Sequence, residues 1–300
     1  MSLAIILLNW NNASDTIRCV RSIEAWHTPS PRIWVVDNGS QDDSVAQLRQ
    51  SCPNIRLLLS ERNLGFAAGN NLAIRQAMDE GATYLFLLNN DAAISEGDVL
   101  RLMTTLKTTP QAGIVGPLLR DPLPSPRLQA AGGRNVAWHV ATHRLDLPQS
   151  RHPFAVDYVP GTAILISGEV FRTVGLLDEQ YFISGEIADL CLRARRCGFV
   201  CLIDPTTTAY HDTGRSSDLR EAFYAYYFLR NRFLYVRKFY SLAAVPLMLY
   251  WAALGLVSVA GAIFHRRRSR ARALGLALRH GLSGTFGDQS ELILTGAQGS

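Results

Sequence analysis

The chain has 300 residues, of which 48% are hydrophobic and 18% are charged, and this composition excludes an intrinsically disordered protein. The formal net charge is +5, but ten of the 30 Lys and Arg residues lie between Arg230 and His280, where there is no Asp or Glu. The rest of the chain carries 20 basic and 25 acidic residues. The basic character therefore belongs to the C-terminal part, which argues against a nucleic-acid-binding surface on the remainder.

The N-terminal part alternates strand patterns with helix patterns. Each apolar run is short and is followed by an amphipathic segment with helical spacing. The strand patterns cover residues 3–9, 32–38, 55–60 and 83–90, and the helix patterns cover residues 15–25, 44–51 and 69–81. This alternation predicts an α/β fold with a mainly parallel central sheet and right-handed crossovers.

Three polar clusters follow these strands, at the sheet edge where open α/β folds bind ligands. The first contains Asp37 and Asn38, and there Ser40 with Asp43 matches a helix capping box. The second is a glycine-rich turn opening a helix, a common anion site, although it fits neither the Walker pattern nor the dinucleotide fingerprint. Its polar and glycine residues are Asn63, Gly65, Gly69, Asn70 and Asn71.

The third cluster is Asn89, Asn90 and Asp91, directly after the apolar run 85–88. One carboxylate beside amide oxygens can hold a hard divalent cation that also binds substrate phosphates. A proline-rich stretch, 120–135, then predicts a loop or short hairpin over the site.

The second half of the sequence predicts further elements. Residues 160–167 have a strand pattern, and residues 185–198 have a helix pattern with Leu190, Leu192 and Ala194 inward. Glu186 and Asp189 in the first turn of that helix have a plain stabilising explanation, because they complement the helix dipole.

Residues 239–264 carry no formal charge over 26 positions, and arginines flank them on both sides. This length suits a membrane helix, and the alternative is a buried core helix. Basic flanks at both ends favour a helix kinked at Pro246, peripheral or re-entrant, on the cytoplasmic side of the inner or plasma membrane. The five cysteines form no C-x-x-C pair and the N-terminus lacks a signal-peptide n-region, so we expect reduced thiols and a cytoplasmic catalytic part.

The order of motifs N-W-N, V-V-D-N-G-S-x-D, N-x-G-F-A-A-G-N-N and L-L-N-N-D resembles the family 2 glycosyltransferases, specifically their rhamnosyltransferase-like branch. The likeness covers roughly residues 3–235 and lies in the spacing, because each motif alone is weak. It implies a GT-A catalytic domain, a nucleotide-sugar-binding α/β sandwich, over residues 1–235. Residues 236–300 would form a C-terminal membrane-associated helical tail.

The resemblance also implies roles for individual residues. Asp37 would recognise the nucleoside base, and Asp91 would stand in the family's metal motif with His211 as a further metal contact. Arg215 would lie in a loop closing over the diphosphate and balance its developing charge. The nucleotide-sugar-binding set would be Asn9, Asp37, Asn38, Arg62, Asn63, Gly69, Asn70, Asn89, Asn90 and Arg215.

One position departs from the family pattern. Related transferases show E-D-x-D-L, in which the Asp of the E-D pair is the general base, whereas this chain has Ile187 there. Two hypotheses follow: Glu186 takes over as base with Asp189 orienting it or the acceptor, or the chain binds donor without turnover.

The function expected from the sequence is an inverting, metal-dependent hexosyltransferase or rhamnosyltransferase using Mg²⁺ or Mn²⁺. Its donor would be a nucleotide sugar, with dTDP-rhamnose the first choice and UDP and GDP sugars the alternatives, and its acceptor a lipid-linked saccharide of a surface polysaccharide. A nucleotidyltransferase is disfavoured, because residues 7–14 contain neither glycine nor lysine. A catalytically silent binding or assembly partner is the stronger rival. The expected partners include a membrane surface but no nucleic acid.

Overall fold

The structure is a computed structural model that describes residues 2–28, 30–124, 126–212 and 218–293. The chain divides into two compact units. The sheet unit comprises Met1–Asn135, Ala141–Leu177 and Ile187–Asp212, and the helical unit comprises Val136–Val140, Asp178–Glu186 and Thr213–Ser300. This division by contacts assigns the helix that starts at Asp218 to the helical unit; the functional boundary after residue 235 stays a prediction.

The sheet unit contains all ten strands of the described chain in one sheet, ordered β3-β2-β1-β4-β9-β6-β10-β5, with β7 beside β6 and β8 beside β10. The strands are β1 (Leu3–Asn9), β2 (Arg32–Asp37), β3 (Arg56–Leu59), β4 (Tyr84–Asn89), β5 (Ala92–Ile94), β6 (Ala112–Arg120), β7 (Leu128–Ala130), β8 (Phe154–Ala155), β9 (Ala163–Ser167) and β10 (Val200–His211).

The helices of this unit are α1 (Ala13–Glu24), α2 (Ser44–Ser51), α3 (Gly65–Asp79), α4 (Glu96–Thr108), α5 (Gly168–Val174) and α6 (Glu186–Arg196), the first residue of which belongs to the helical unit. Four of these helices, α1, α2, α3 and α6, correspond to the predicted helix patterns, whereas α4 and α5 were not predicted. Helix α3 begins at Gly65, four residues before the predicted start, so the glycine-rich turn is the first turn of the helix.

The first four strands of the sheet, β3-β2-β1-β4, are mutually parallel, as expected for consecutive β-α units. Beyond them the sheet is mixed, because β9 runs antiparallel to both β4 and β6. Strand β4 lies in the middle of the sheet, and its residues Leu85, Phe86, Leu87 and Leu88 are at most 3% exposed. This burial on both faces explains the apolar run and puts Asn89 at the point where the chain leaves the core.

Within residues 120–135, β7 pairs antiparallel with the end of β6, which agrees with the predicted short hairpin. Strand β5 was not predicted from the sequence. It is three residues long and pairs antiparallel with the end of β10, with Ala92 opposite His211. This pairing joins the chain after β4 to the C-terminal end of β10.

The helical unit contains α7 (Asp218–Phe239), α8 (Ala244–Phe264) and α9 (Arg268–Ser283). One face of α8 is buried: the Trp251 Nε1 donates to the Ala137 carbonyl at 2.9 Å, and Gly255 lies against Leu278. Pro246 lies in the first turn of α8, where its missing N–H removes no helical hydrogen bond, so the predicted kink at Pro246 is wrong.

The opposite face of α8 is apolar and exposed. Among the described residues, α8 is the one helix long and apolar enough to cross a membrane, with a mean hydropathy of 2.0 and 22% of that window buried. A soluble core helix would be mostly buried. The exposed apolar side chains of this face are Val245, Leu249, Leu256, Val257, Ile263 and Phe264.

Candidate active site

The candidate site lies at the carboxyl edge of the parallel strands. The strand register places Asn9 beside Asp37 and Leu8 beside Asn89, so three predicted site residues end their strands at the same level. Asn9 Nδ2 donates to Asp37 Oδ2 at 2.8 Å, and both side chains are at most 2% exposed. The sheet therefore fixes the Asp37 carboxylate before any ligand binds.

Ser40 adds two further hydrogen bonds to Asp37. Its hydroxyl donates to Oδ2 at 2.7 Å and its backbone N–H donates to Oδ1 at 3.0 Å. The predicted capping box of Ser40 and Asp43 is wrong, because α2 begins at Ser44 and the Ser40 side chain binds Asp37 instead. A carboxylate has about four lone-pair sites. Asp37 thus keeps acceptor capacity on Oδ1.

A largely buried chain of hydrogen bonds links Asp37 to Asn90 through Thr16, a residue not predicted from the sequence. Thr16 Oγ1 donates to Asn9 Oδ1 at 2.7 Å, and Asn90 Nδ2 donates to Thr16 Oγ1 at 2.9 Å. Thr16 is 0% exposed and lies in the first turn of α1. Asn9 and Thr16 each donate one of these hydrogen bonds and accept another, so the chain of bonds sets the orientation of the Asn9 and Asn90 amides.

Asn38 and Asn63 form the turn that leads into α3. Asn38 Oδ1 accepts from Leu64 N–H at 3.0 Å, and its Nδ2 donates to Asn63 Oδ1 at 3.0 Å. Asn63 Oδ1 also accepts from Gly65 N–H at 2.8 Å. Both amides are therefore engaged in holding the loop, and Arg62 projects from it with an exposed side chain.

Gly39 is required where this loop meets the turn after β2. Its φ is +75°, and a Cβ there would lie 2.5 Å from the Cα of Arg62 and 2.7 Å from the N of Asn63. Backbone atoms cannot give way cheaply. Gly39 thus brings Arg62 to the ligand edge of β2.

The structure puts Gly69, Asn70 and Asn71 on the buried side of α3. A Cβ at Gly69 would lie 2.7 Å from Leu8 Cδ1, so this glycine allows the helix to approach β1. Asn70 Nδ2 donates to the Phe66 carbonyl at 2.8 Å, and Asn71 exchanges two hydrogen bonds with Leu177. These contacts give the three residues a structural role, and donor contacts by Gly69 and Asn70 stay a prediction.

Asp91 and His211 come together across the β5–β10 pairing. Asp91 Oδ1 lies 3.3 Å from His211 Nε2, and the two side chains are 23% and 17% exposed. Gln129 Nε2 donates to the His211 carbonyl at 2.8 Å, which braces the end of β10. Asp91 Oδ1 is buried and accepts no hydrogen bond within the described chain. This oxygen is oriented towards an imidazole and has capacity for a cation.

The two side chains fit a divalent cation that completes its shell with substrate oxygens. A carboxylate oxygen and an imidazole nitrogen are ligands that Mn²⁺ accepts, and Mg²⁺ uses one or two carboxylates with phosphates. The described residues contain no group of three His, Cys, Asp or Glu that could hold a metal alone. A cation here would therefore depend on the donor's phosphates.

Cys19 on α1 lies beside the backbone of Ala92, the residue that follows Asp91. Burial and the nearby Asp91 charge raise the pKa of its thiol to about 12, against a smaller opposing effect of Arg18. Its Sγ lies 3.7 Å from the Ala92 carbonyl, as a weak donor. The thiol therefore stays neutral beside the carboxylate of Asp91.

Helix α6 supplies the acceptor-side candidates. Asp189 is fully buried, and its Oδ1 accepts from Arg193 Nε at 2.6 Å. Arg193 also donates to the carbonyls of Val174 and Leu176, so Asp189 anchors an arginine that holds the chain after α5. The structure thus gives Asp189 a structural partner on its own helix.

Ile187 occupies an apolar niche. It is 4% exposed, and a Cβ at Gly161 would lie 2.9 Å from its Cγ1 and 3.7 Å from the Phe66 ring. Gly161 precedes Thr162, whose carbonyl accepts from the Asn89 N–H at 2.8 Å. Hydrocarbon therefore fills the expected base position.

The two remaining predicted site residues are Glu186 and Arg215. Glu186 belongs to the helical unit and is 6% exposed, and Arg215 lies outside the described residues.

Comparison with known proteins decides the family. Residues 4–157, just over half of the chain, match the model of glycosyl transferase family 2. The chain belongs to this family. Its motifs and their order resemble the rhamnosyltransferase-like branch, as the sequence analysis expected, and this is confirmed by the relatives.

Two curated relatives and one solved structure illustrate the likeness. An N-acetylglucosaminyl-diphospho-decaprenol L-rhamnosyltransferase of Mycobacterium tuberculosis is 29% identical over 209 residues, 62% of this chain and 67% of that protein. The dTDP-rhamnosyl transferase RfbF of Shigella flexneri is 26% identical over 226 residues, 72% of each chain.

The solved structure is a mannosyltransferase from Pyrobaculum calidifontis in complex with GDP-mannose and Mn²⁺. It superposes with a TM-score of 0.58 at 15% identity and covers 94% of this chain and 87% of its own. At this identity the likeness concerns the fold, and the expected GT-A fold is confirmed.

Proposed function

We propose that this family 2 glycosyltransferase moves a sugar from a nucleotide-sugar donor to an acceptor hydroxyl in one inverting displacement. The observation that carries the proposal is the pair Asp91 and His211, 3.3 Å apart at the carboxyl edge of the sheet, the two residues that the resemblance to the family proposes as metal ligands. The hydrogen-bonded chain from Asp37 to Asn90 supports a nucleotide that extends from its base to its diphosphate along this edge.

Asp91 and His211 would hold a divalent cation, Mg²⁺ or Mn²⁺, together with the donor's phosphates. When bound, this cation would neutralise charge on the departing diphosphate. Asp37 would accept hydrogen bonds from the base through its remaining lone pair, and Asn9 would keep that carboxylate in place. Arg215 would add positive charge at the leaving group.

Glu186 would remove the proton from the acceptor hydroxyl. The acceptor oxygen then forms a bond to the anomeric carbon as the bond from that carbon to the diphosphate oxygen breaks, which inverts the configuration. A carboxylate base contributes about 10²- to 10⁴-fold to such a step. Asp189, engaged with Arg193, would act by fixing the helix that begins at Glu186.

The names of the relatives support a proposal for the donor and the acceptor. One relative acts on a decaprenol-linked N-acetylglucosamine and another is a dTDP-rhamnosyl transferase. We therefore favour dTDP-rhamnose as donor and a lipid-linked saccharide as acceptor in surface polysaccharide assembly. The exposed apolar face of α8 supports a membrane location for this acceptor chemistry.

We further propose that α8 lies in the membrane interface, on the cytoplasmic side, without spanning. Its buried face packs within the helical unit through Leu247, Trp251 and Gly255, so only the opposite face is available to lipid. Arginines 266–272 follow the helix directly and would meet anionic headgroups.

Ile187 favours a second candidate, a transferase fold retained for nucleotide-sugar binding alone. To separate the two, full-length protein in detergent is incubated with a panel of dTDP, UDP and GDP sugars, Mg²⁺ or Mn²⁺, and a lipid extract. The proposal expects one donor to be consumed and the glycosidic product to show inverted anomeric configuration by NMR. Metal-dependent donor binding without product supports the binding-only candidate.

A further inference from the structure

The loop that ends at Glu186 has an unusual backbone. Phe182 has φ +62° and ψ −64°, and the Ile183 N–H donates to the Tyr181 carbonyl at 2.8 Å, which together make a γ-turn of the rare positive-φ type. Ser184 follows with φ +71° and Gly185 with φ +108°. Three of the four residues before Glu186 are thus in the left-handed half of conformational space, which for Phe and Ser is strained.

Only glycine fits at position 185. In addition to its positive φ, a Cβ there would lie 2.8 Å from Cδ1 of Tyr181, whose side chain is fully buried. Phe182 is also buried and stacks on Tyr227 with ring centroids 5.1 Å apart. The loop therefore cannot relax outward without exposing two aromatic rings.

Asn231 on α7 holds this loop by its carbonyl groups. Its Nδ2 donates to the carbonyls of Tyr181 at 3.0 Å, Ile183 at 2.8 Å and Ser184 at 2.5 Å. An amide nitrogen has two protons, so the three carbonyls share them. One side chain thus fixes both ends of the strained segment.

Arg230 sets the orientation of the Asn231 amide. Its Nε and Nη2 donate to Asn231 Oδ1 at 2.8 and 2.6 Å, so the oxygen faces the guanidinium and the nitrogen faces the loop. Arg230 Nη2 also donates to the Tyr181 carbonyl at 2.9 Å. Both side chains are at most 3% exposed. The buried Arg230 guanidinium therefore keeps the Asn231 amide in this orientation.

We infer that Asn231, oriented by Arg230, is a positioning residue that holds the strained loop 181–185 so that Glu186 is presented to the acceptor hydroxyl. This inference rests on the proposed role of Glu186 as base. The strain in the loop explains why a dedicated holder is needed, since the segment would otherwise adopt ordinary backbone angles and move Glu186.

Asn231→Asp tests the inference in the full-length enzyme. The substitution keeps the shape and the acceptor towards Arg230 but removes both protons that bind the loop. Trp251→Phe is the matched control, because it removes another buried hydrogen bond of the helical unit, from Trp251 Nε1 to the Ala137 carbonyl at 2.9 Å, and among the described residues no hydrogen bond joins Trp251 to residues 181–185. Melting temperature, donor affinity, kcat, acceptor KM and the pH profile of kcat are measured for each.

The inference expects Asn231→Asp to lower kcat at least tenfold with unchanged donor affinity and to shift the acid limb of the pH profile, while Trp251→Phe leaves kcat and the pH profile unaltered. In the Glu186→Gln background, Asn231→Asp should cause no further loss, since both substitutions remove the same contribution. Equal rate losses for Asn231→Asp and Trp251→Phe, or a lower melting temperature of Asn231→Asp with full kcat, would overturn it.

The experiment also separates this inference from the proposed function. If Glu186→Gln retains the wild-type rate, the base assignment fails and the positioning role fails with it. If Glu186→Gln is slow but Asn231→Asp is fully active with an unchanged pH profile, the base assignment stands and only the positioning role is wrong.

Discussion

Asp91 and His211 lie 3.3 Å apart because the three-residue strand β5 pairs with the end of β10, with Ala92 opposite His211. The carboxylate comes from the turn after the central strand β4, and the imidazole comes from the last residue of β10, far along the chain. Neither side chain would form a metal site alone. Their juxtaposition is a property of the fold, and in the proposed metal site the imidazole would be the second protein ligand beside the one carboxylate of the motif.

We expect Asp91→Asn to weaken Mn²⁺ binding in the presence of nucleoside diphosphate by about 100-fold, since the charge but not the shape is lost; a tenfold change corresponds to ~1.4 kcal/mol. Calorimetry or electron paramagnetic resonance of bound Mn²⁺ measures this directly. Asp98→Asn, which removes a surface carboxylate paired with Arg101, serves as the control. Equal affinity in the two variants would remove Asp91 from the metal site.

Thr16→Val should reduce the free energy of unfolding by about 1–3 kcal/mol, because the isosteric side chain leaves Asn9 Oδ1 and Asn90 Nδ2 without the hydroxyl that joins them. The KM for the donor should rise as well, since Asn9 then no longer fixes Asp37. Denaturant unfolding and steady-state kinetics check the two effects. A stable variant with normal donor KM would show that the hydrogen-bonded chain is not part of the site.

Gly39→Ala and Gly81→Ala form a matched pair. Both glycines have φ near +80°, but a Cβ at Gly39 would meet the backbone of Arg62, whereas nothing lies within 4 Å at Gly81. The cost of a positive φ is common to both variants, so it cancels in the comparison. Gly39→Ala should therefore lower the free energy of unfolding by about 1–3 kcal/mol more than Gly81→Ala. Donor affinity should fall for Gly39→Ala alone. Equal unfolding free energies in urea would refute the close approach of the two loops.

Cys19 should resist alkylation in the native protein. Burial and the Asp91 charge raise its pKa from 9.0 to about 12, so almost no thiolate exists at pH 8. Because the pKa of the thiol is higher in the folded than in the unfolded protein, the neutral thiol stabilises the fold below pH 9. This contribution to the free energy of unfolding is lost as the pH rises from 9 towards 12. Iodoacetamide at pH 8 should modify the exposed Cys197 first, as mass spectrometry can show. Rapid labelling of Cys19 would contradict its burial beside Asp91.

Membrane contact through α8 predicts that Leu256→Lys weakens binding to anionic vesicles by about tenfold, because burial of one leucine is worth ~1.5–3 kcal/mol. Leu256 is 63% exposed. Leu145→Lys is the matched control, since Leu145 is 64% exposed but lies in the sheet unit. Vesicle sedimentation separates them, and equal binding of both variants would exclude α8 as the contact.

The sequence predicts what depends on local pattern. The strands β1 to β4 and their helices follow from short apolar runs and helical spacing, and the carboxyl edge follows from the parallel order. Strand β5 escaped prediction because its pairing with β10 is non-local and only three residues long. Thr16 escaped because a threonine in a first helical turn has no distinguishing pattern, and its role depends on three strands meeting.

The buried arginines of α7 also could not be predicted. Charged side chains on a helix are usually exposed to solvent. Arg230 is nevertheless fully buried, because loop carbonyls and aromatic faces replace its water. Only the tertiary contacts reveal that this residue orients Asn231.

The most direct test of the account is acceptor-dependent release of nucleoside diphosphate by the full-length protein with its best donor and Mn²⁺, compared with Glu186→Gln. The account predicts measurable release by the wild type, loss on chelation of the metal, and a fall of about 10²- to 10⁴-fold for Glu186→Gln. Metal-dependent donor binding with no release by the wild type, even with a membrane extract as acceptor, would contradict it and identify a transferase fold kept for binding.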